Sequence, residues 1–246
     1  MKRNTLVWDG LVRSFHILFG VGFLGAYFIA KFLGEDSSAF PYHMMLGLTI
    51  ALMAGLRIIW LIAGTKWARI TGLSSNPVEL AQYMGSVLKK EAKQYTGHNP
   101  ATSITLIAML LLALNLAFTG YSYTQGNEAF EEIHPILANL FLFIVILHIA
   151  GVALHSFVHR DGIVLGMVDG KKTVPEQDGI SKGSPIAAGL FIAASISFLA
   201  SLLFSYNPSS GTTRWPLSGQ VIQLGENERE GGGEEGEEHE EQESDD

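Results

Sequence analysis

Five stretches of this chain, residues 11–33, 42–63, 101–121, 135–157 and 185–206, are almost wholly apolar. Each is about 20 residues, the length a helix needs to cross about 30 Å of hydrocarbon at about 1.5 Å per residue. A helix pairs its backbone polar groups within its own segment, which a bilayer interior demands. The expected class is therefore an all-α membrane protein. Stretch one does not read as a cleaved signal peptide, since it is too long and no small-residue cleavage site follows it. The chain holds no cysteine. That removes disulfides, thiolate metal sites, iron–sulfur clusters and thioether-attached haem, so any redox group would be held by His or Met.

The distribution of Lys and Arg predicts orientation. Lys2, Arg3 and Arg13 precede or open span one. Lys66, Arg69, Lys89, Lys90 and Lys93 lie between spans two and three, and Arg160, Lys171, Lys172 and Lys182 between spans four and five. The alternate connections carry Glu35 and Asp36, then Glu128, Glu131 and Glu132, with Lys31 the one base among them. The N-terminus is expected inside and, after five spans, the C-terminus outside. The net charge of −8 hides a division: residues 226–246 carry −11 and the rest +3. No basic patch points to nucleic acid.

The connection over 64–100 is the longest between spans, and Leu80, Met84 and Leu88 repeat within it every four residues beside Tyr83 and Val87. This predicts a short amphipathic helix on the inner membrane surface. Asn99-Pro100 supplies an N-cap and a first helical residue for span three. Span five, after Gly183-Ser184-Pro185, has no ionisable residue and reads as an appended anchor. The expected organisation is a four-helix domain over 1–183, a fifth membrane helix over 184–207, and a disordered outer tail over 208–246, Glu-rich from 226.

Against this frame four histidines are conspicuous, because an ionisable side chain inside a membrane is costly and marks function by default. His43 opens span two and His134 opens span four, both at the outer mouth. His148 lies fourteen residues past His134, about 21 Å deeper. His16, seventeen residues before the outer end of span one, reaches a similar depth from the other direction. Fourteen residues at about 100° each end about 40° from a whole number of turns, so His134 and His148 share one face. Two stacked haems need this: an outer one held by His43 and His134, an inner one by His16 and His148. With both axial positions filled, such a site suits electron transfer rather than oxygen binding.

Small residues beside these positions, Gly20, Gly47, Ala138 and Gly151, would leave room for a porphyrin, although small residues also serve ordinary helix packing. Arg57, fourteen residues past His43, and Arg13, one turn before His16, are candidate partners for haem propionates; the alternative for each is snorkelling to the inner surface. Trp8 and Trp60 are expected in the interface belt. His155 is expected as a supporting or interfacial residue, the alternative being that it replaces His148 as the inner ligand, His98 as a propionate contact or a helix-start residue, and His159 as a solvated inner-surface residue. His239 carries no signal.

The run Trp8-Asp9-Gly10-Leu11-Val12-Arg13-Ser14-Phe15-His16 resembles the W-D-x-x-V-R-x-F-H opening of the bacterial cytochrome b-561 group, which includes the b-type cytochrome subunits of nickel–iron hydrogenases. His43 through Gly47 to Arg57-Ile58-Ile59-Trp60 is similar to that group's second helix. Tyr95-Thr96-Gly97-His98-Asn99-Pro100 is similar to its entry to the third, and Ile133-His134-Pro135, Ala138-Asn139 and Leu147-His148 to its fourth. His159-Arg160-Asp161-Gly162 and Met167 resemble the stretch that follows. The resemblance spans residues 5 to about 172. It implies a four-helix bundle with two b haems whose iron ligands fall on His16, His43, His134 and His148.

It also implies electron exchange with the quinone pool, in a bacterial inner membrane. The fifth span and acidic tail depart from the pattern. The leading expectation is a di-haem cytochrome passing electrons between quinone and a redox partner, for which a basic soluble c-type cytochrome meeting the acidic tail is a candidate. One alternative is the membrane anchor of a hydrogenase-like dehydrogenase. Another is a histidine-based transporter, which predicts helices broken near midplane; no proline lies inside any span.

Overall fold

The computed structural model describes residues 2–74, 76–89, 94–159 and 163–224. The expectations for Lys90, Lys93, Arg160, His239 and the Glu-rich segment fall outside the described residues, as does the side chain of His159.

A strand β1 (Lys2–Leu6) leads into α1 (Gly10–Phe28), which continues as a π-helix over Ile29–Leu33 and ends at Gly34, whose φ of +82° suits glycine. Then come α2 (Phe40–Ala63), α3 (Pro77–Leu88), α4 (Pro100–Thr124), α5 (Ile133–His159), the short α6 (Ile163–Asp169), β2 (Lys171–Pro175), α7 (Pro185–Phe204), β3 (Thr212–Arg214) and β4 (Val221–Gln223). Helices α1, α2, α4, α5 and α7 are long and apolar enough to cross a membrane.

Sequence chemistry fixes the helix starts. Asp9 caps α1 by accepting from the backbone N–H of Val12, and Asn99 caps α4 through Thr102, with Pro100 at its first turn. Asp9 also accepts from Trp60 Nε1 at 3.0 Å and Thr65 Oγ1 at 2.6 Å. One buried carboxylate thus ties the start of α1 to the end of α2.

The bundle runs α1 against α2, α2 against α4 and α4 against α5, while α7 packs on α1 and α2. Its core joins Phe15, Phe19 and Phe23 of α1 to Ile50 and Met53 of α2, Leu110 of α4, Phe141 of α5 and Phe191 of α7. A Cβ on Gly10 would lie 2.9 Å from the Cβ of Ala188, so this glycine sets how closely α7 approaches α1. At the N-terminal end of the bundle, β1 pairs antiparallel with β2, Asn4 opposite Thr173. At the far end β3 pairs with β4.

Three expectations need correction. Residues 208–224 are not part of a disordered tail. The β3–β4 hairpin brings Ile222 and Leu224 into a buried cluster with Met45, Phe198 and Leu202, and Trp215 packs edge-on to Phe198; enough apolar area is buried there to order the segment. The amphipathic helix is present as α3, but it turns Tyr83 and Val87 into the protein, while Met84, from the predicted stripe, is exposed. Trp8 is not a belt residue: it is 2% exposed and packs with Val7, Val12, Ala68 and Val174.

Candidate functional site

One stripe of α5 reads His134, Phe141, His148 and His155, at intervals of seven residues. Seven residues at about 100° fall about 20° short of two turns, so all four project toward one side of the helix. Opposite His148 lies His16 of α1, their ring centres 6.3 Å apart and planes inclined 55°. Opposite His134 lies His43 of α2, at 6.1 Å and 86°. We call these the near and far pairs, counting from the N-terminal end.

Both separations suit one metal ion held between two imidazoles. A metal–imidazole bond is about 2 Å, and the ring centre sits about 1 Å behind the nitrogen, so two opposed ligands place their centres about 6 Å apart. Among the described residues, no three His, Asp or Glu side chains converge on a point. A two-ligand site leaves the remaining positions to a flat multidentate ring, which is what haem provides.

Room for such a ring exists at the near pair. A cavity of about 520 Å³ is lined by His16, His148, Gly20, Phe19, Leu106 and Val145 among others, within the range of small-molecule and cofactor sites. A Cβ placed on Gly20, Gly47 or Gly151 would touch nothing within 4 Å. Of the three, Gly20 lines this cavity, which suits the spacer reading for it, while neither Gly47 nor Gly151 does.

The cavity's N-terminal end is polar. Arg57, His98 and Trp8 line it, and each carries a buried nitrogen without a hydrogen-bond partner: Arg57 Nη2, His98 Nδ1 and Trp8 Nε1. Buried donors are almost always paired, so the Arg57 and Trp8 N–H groups facing one cavity match a ligand with negatively charged edges, while His98, whose other ring nitrogen donates to the carbonyl of Trp67, presents Nδ1 there as an acceptor. Arg57 is 1% exposed and its Nη1 donates to the carbonyl of Ala68 at 3.2 Å. Snorkelling is therefore excluded for Arg57. Arg13 does not line the cavity; its guanidinium donates to the carbonyl of Val168 at 2.7 Å. His98 stacks edge-on to Trp8 with centres 4.8 Å apart. Burial, reinforced by the positive charge of Arg57, pushes His98 down to about 3, so the ring is neutral at physiological pH.

The far pair has its own supports. His43 Nδ1 lies 2.8 Å from the carbonyl of Ala26, near the point where α1 changes to π winding. His134 Nδ1 lies 3.0 Å from Thr119 Oγ1, whose hydroxyl donates to the carbonyl of Asn115 at 2.9 Å. With its own proton committed, the Thr119 oxygen accepts from His134. In both residues Nδ1 is thereby occupied and Nε2 left available as a ligand atom, an arrangement that suits a metal-binding histidine. Gly120 makes this approach possible: a Cβ there would be 3.0 Å from Cε1 of His134. Between the two pairs sits Phe141, 1% exposed, its ring 4.4 Å from Phe23 and 6.0 Å from Phe19.

His155 does not join either pair. It is buried, and its Nδ1 lies 3.2 Å from the hydroxyl of Tyr83, which accepts from Asn99 Nδ2 at 2.9 Å. A second cavity, about 60 Å³, borders this network and also touches His148 and Thr102. Thr119, Gly120, Phe141, Trp8 and Tyr83 all went unread as site residues in the sequence. For Phe141 a signal existed, since it stands midway between His134 and His148 in the same seven-residue phase. For Thr119 and Gly120, on a helix that contributes no histidine, there was none.

No curated protein and no solved structure is significantly similar to the chain. The prokaryotic cytochrome b561 family does match, over residues 7–170, which takes in α1 through α6 and leaves β1, β2, α7, the β3–β4 hairpin and the acidic segment outside. That match covers more than half of the 246 residues. Its members are membrane proteins that bind haem b and carry electrons. With five apolar helices and two opposed histidine pairs between them, the chain belongs to the prokaryotic cytochrome b561 family, as a b-type cytochrome of a bacterial membrane.

Proposed function

We propose that the protein holds two b haems, one at each histidine pair, and passes electrons across the membrane between the quinone pool and a redox partner at the far end. The observation that carries this is the pair of opposed imidazoles at 6.3 and 6.1 Å, both anchored on one stripe of α5. His16 and His148 would bind one iron and His43 and His134 the other, with Arg57 and Trp8 donating to the propionates of the near haem and the neutral His98 ring packed beside them. Arg13, turned to Val168, would act only at second hand. Haem b supplies a reversible one-electron couple; the protein's residues orient it, exclude water and set its potential. Ala26, Thr119 and Gly120 hold the far imidazoles in place, and Phe141 packs the space between the sites.

In this reading the near end faces the cytoplasm and the far end the periplasm, following the Lys and Arg asymmetry. The four-helix unit over 1–183 is the haem-binding part, and the helix over 184–207 braces α1 and α2 from outside it. Quinone exchange is supported at the small cavity beside His148, where the Tyr83 hydroxyl, the Asn99 amide and His155 could serve the oxygens of a quinone ring. That cavity is smaller than such a ring, so entry would require α3 to shift. A basic soluble c-type cytochrome is the partner favoured at the far end, where the exposed Glu35, Asp36, Glu128, Glu131 and Glu132 lie. Leu224, the last described residue, is buried there near Met45 and so roots the acidic segment close to His43.

The test is haem stoichiometry with single-site variants. The purified protein should contain two haems per chain. His43→Ala or His134→Ala should lose one haem, His16→Ala or His148→Ala the other, and each variant should retain a bis-histidine b spectrum. One haem per chain in the intact protein would end the two-site reading.

A further inference from the structure

The charged groups buried in this fold are not shared evenly between the two histidine pairs. Among the described residues, the buried Asp, Glu, Lys and Arg side chains are Asp9, Arg57 and Lys172, and all three lie at the N-terminal end. Arg57 lines the near cavity together with His16 and His148. Lys172, 1% exposed, donates to the carbonyl of Tyr95 at 2.6 Å and sits close enough to His98 to act on it electrostatically. Asp9 is the sole buried carboxylate of the three, and its oxygens are taken by Val12, Trp60 and Thr65. Its attraction to Arg57 is felt, but no ion pair joins them among the described residues. Among the described residues, Arg57 is the buried cation that lines the near cavity, and no buried carboxylate lines it.

At the far end every charged side chain described is exposed, and the acids there outnumber Lys31 and Arg214. Exposed charges are screened by water and salt, whereas a buried charge acts at close to full strength. Reduction adds one electron to an iron and moves no atom, so a fixed cation nearby favours the reduced form and a nearby anion the oxidised form. The porphyrin carboxylates of the near haem would lie against Arg57, so a buried cation offsets their charge there, whereas no buried Lys or Arg among the described residues stands at the far pair.

We infer that Arg57 makes the near site the one of more positive reduction potential, so that an electron shared between the two sites rests on the near one, between His16 and His148. This builds on the two-haem reading and adds an order to it. Arg57 acts here as a fixed charge. It accepts no electron and need not touch the iron.

The test is an anaerobic optical redox titration of the full-length protein in lipid nanodiscs, with dithionite as reductant and ferricyanide as oxidant. Wild type should titrate in two steps. His134→Ala, which keeps only the near haem, should retain the higher step, and His16→Ala the lower. Arg57→Gln should move the higher step down toward the lower and leave the lower in place, while Arg57→Lys, which keeps the charge, should restore most of the separation. Retention of the lower step by His134→Ala would overturn the inference. So would an Arg57→Gln protein whose two steps stay where they were. If Arg57→Gln does not assemble, the two histidine variants decide the order by themselves. A wild-type haem content of one per chain would instead remove the two-haem reading beneath it, an outcome read before any titration.

Discussion

The hydroxyl of Thr119 in α4 lies 3.0 Å from Nδ1 of His134 in α5, so a helix that contributes no histidine holds the imidazole ring of its neighbour. The next residue, Gly120, lets the two helices come that close. Support of this kind at metal-binding histidines is commonly worth about 10–100-fold in affinity. Thr119→Val should weaken far-site haem retention by about that factor and leave the near haem in place. Haem titration of the apo-protein with site-resolved spectra measures it. Equal retention at both sites would reduce Thr119 to a packing residue.

A different dependency holds at the near end. His98 is held neutral, with its proton affinity pushed down to about 3 by burial first and the charge of Arg57 second. An unfolded chain would take up that proton near the ordinary value of about 6.5. Between these limits the unfolded state binds more protons than the folded one, so His98's contribution is intact above about 6.5 and declines as pH falls toward about 3. His98→Gln should therefore flatten part of the acid-side fall in thermal midpoint. An unchanged slope between pH 6.5 and 4 would mean that other groups carry the acid sensitivity.

How much of this was legible in the chain depends on whether the cause was local. The caps at Asn99 and Pro100, the span lengths and the His134–His148 phase all rest on neighbouring residues or on helical periodicity, and they read directly. The β1–β2 pairing joins Asn4 to Thr173, a contact no local pattern encodes. The hairpin at 212–223 is too short to show alternation, and its order comes from burial against α2 and α7. Arg57 could be placed at the right depth, but burial against snorkelling is decided by what covers it. Ala68 and the 64–74 connection do that, and a linear sequence does not reveal the cover.

Tyr83 offers a test of the quinone reading. Its hydroxyl links Asn99 to His155 beside the small cavity. Tyr83→Phe removes that hydroxyl and keeps the buried ring, so α3 should stay docked and haem content should not change. The rate of haem reduction by a short-chain quinol should fall about five- to tenfold, the scale of losing a hydrogen bond worth about 1–1.5 kcal/mol. An unchanged quinol rate would move the exchange site away from α3.

Orientation is open to a direct measurement. The excess of Lys and Arg in the 64–100 and 158–184 connections predicts that these face the cytoplasm. A reporter active only in the periplasm should work when fused after Asp246 and fail when fused within the 64–100 connection. The reverse pattern would invert the near and far ends. Activity at neither position would mean that α7 does not cross the membrane.

The acidic segment is the last feature that charge alone can test. Residues 226–246 carry −11, and Leu224, the last described residue before them, lies at the far end in the same buried cluster as Met45. A concentrated charge beside a redox site steers an oppositely charged partner, raising its association rate at low salt and losing effect as salt screens it. Truncation after Gly225 should slow electron transfer to a lysine-rich c-type cytochrome at low ionic strength and have little effect well above physiological salt. The buried hairpin ends before the cut, so haem content and the thermal midpoint should not move. Reduction by quinol should also be unchanged, because in this reading quinol enters at the opposite end. Equal transfer rates at every salt concentration would leave the segment without a steering role, and the partner would then have to be recognised by the exposed carboxylates of the far-end loops.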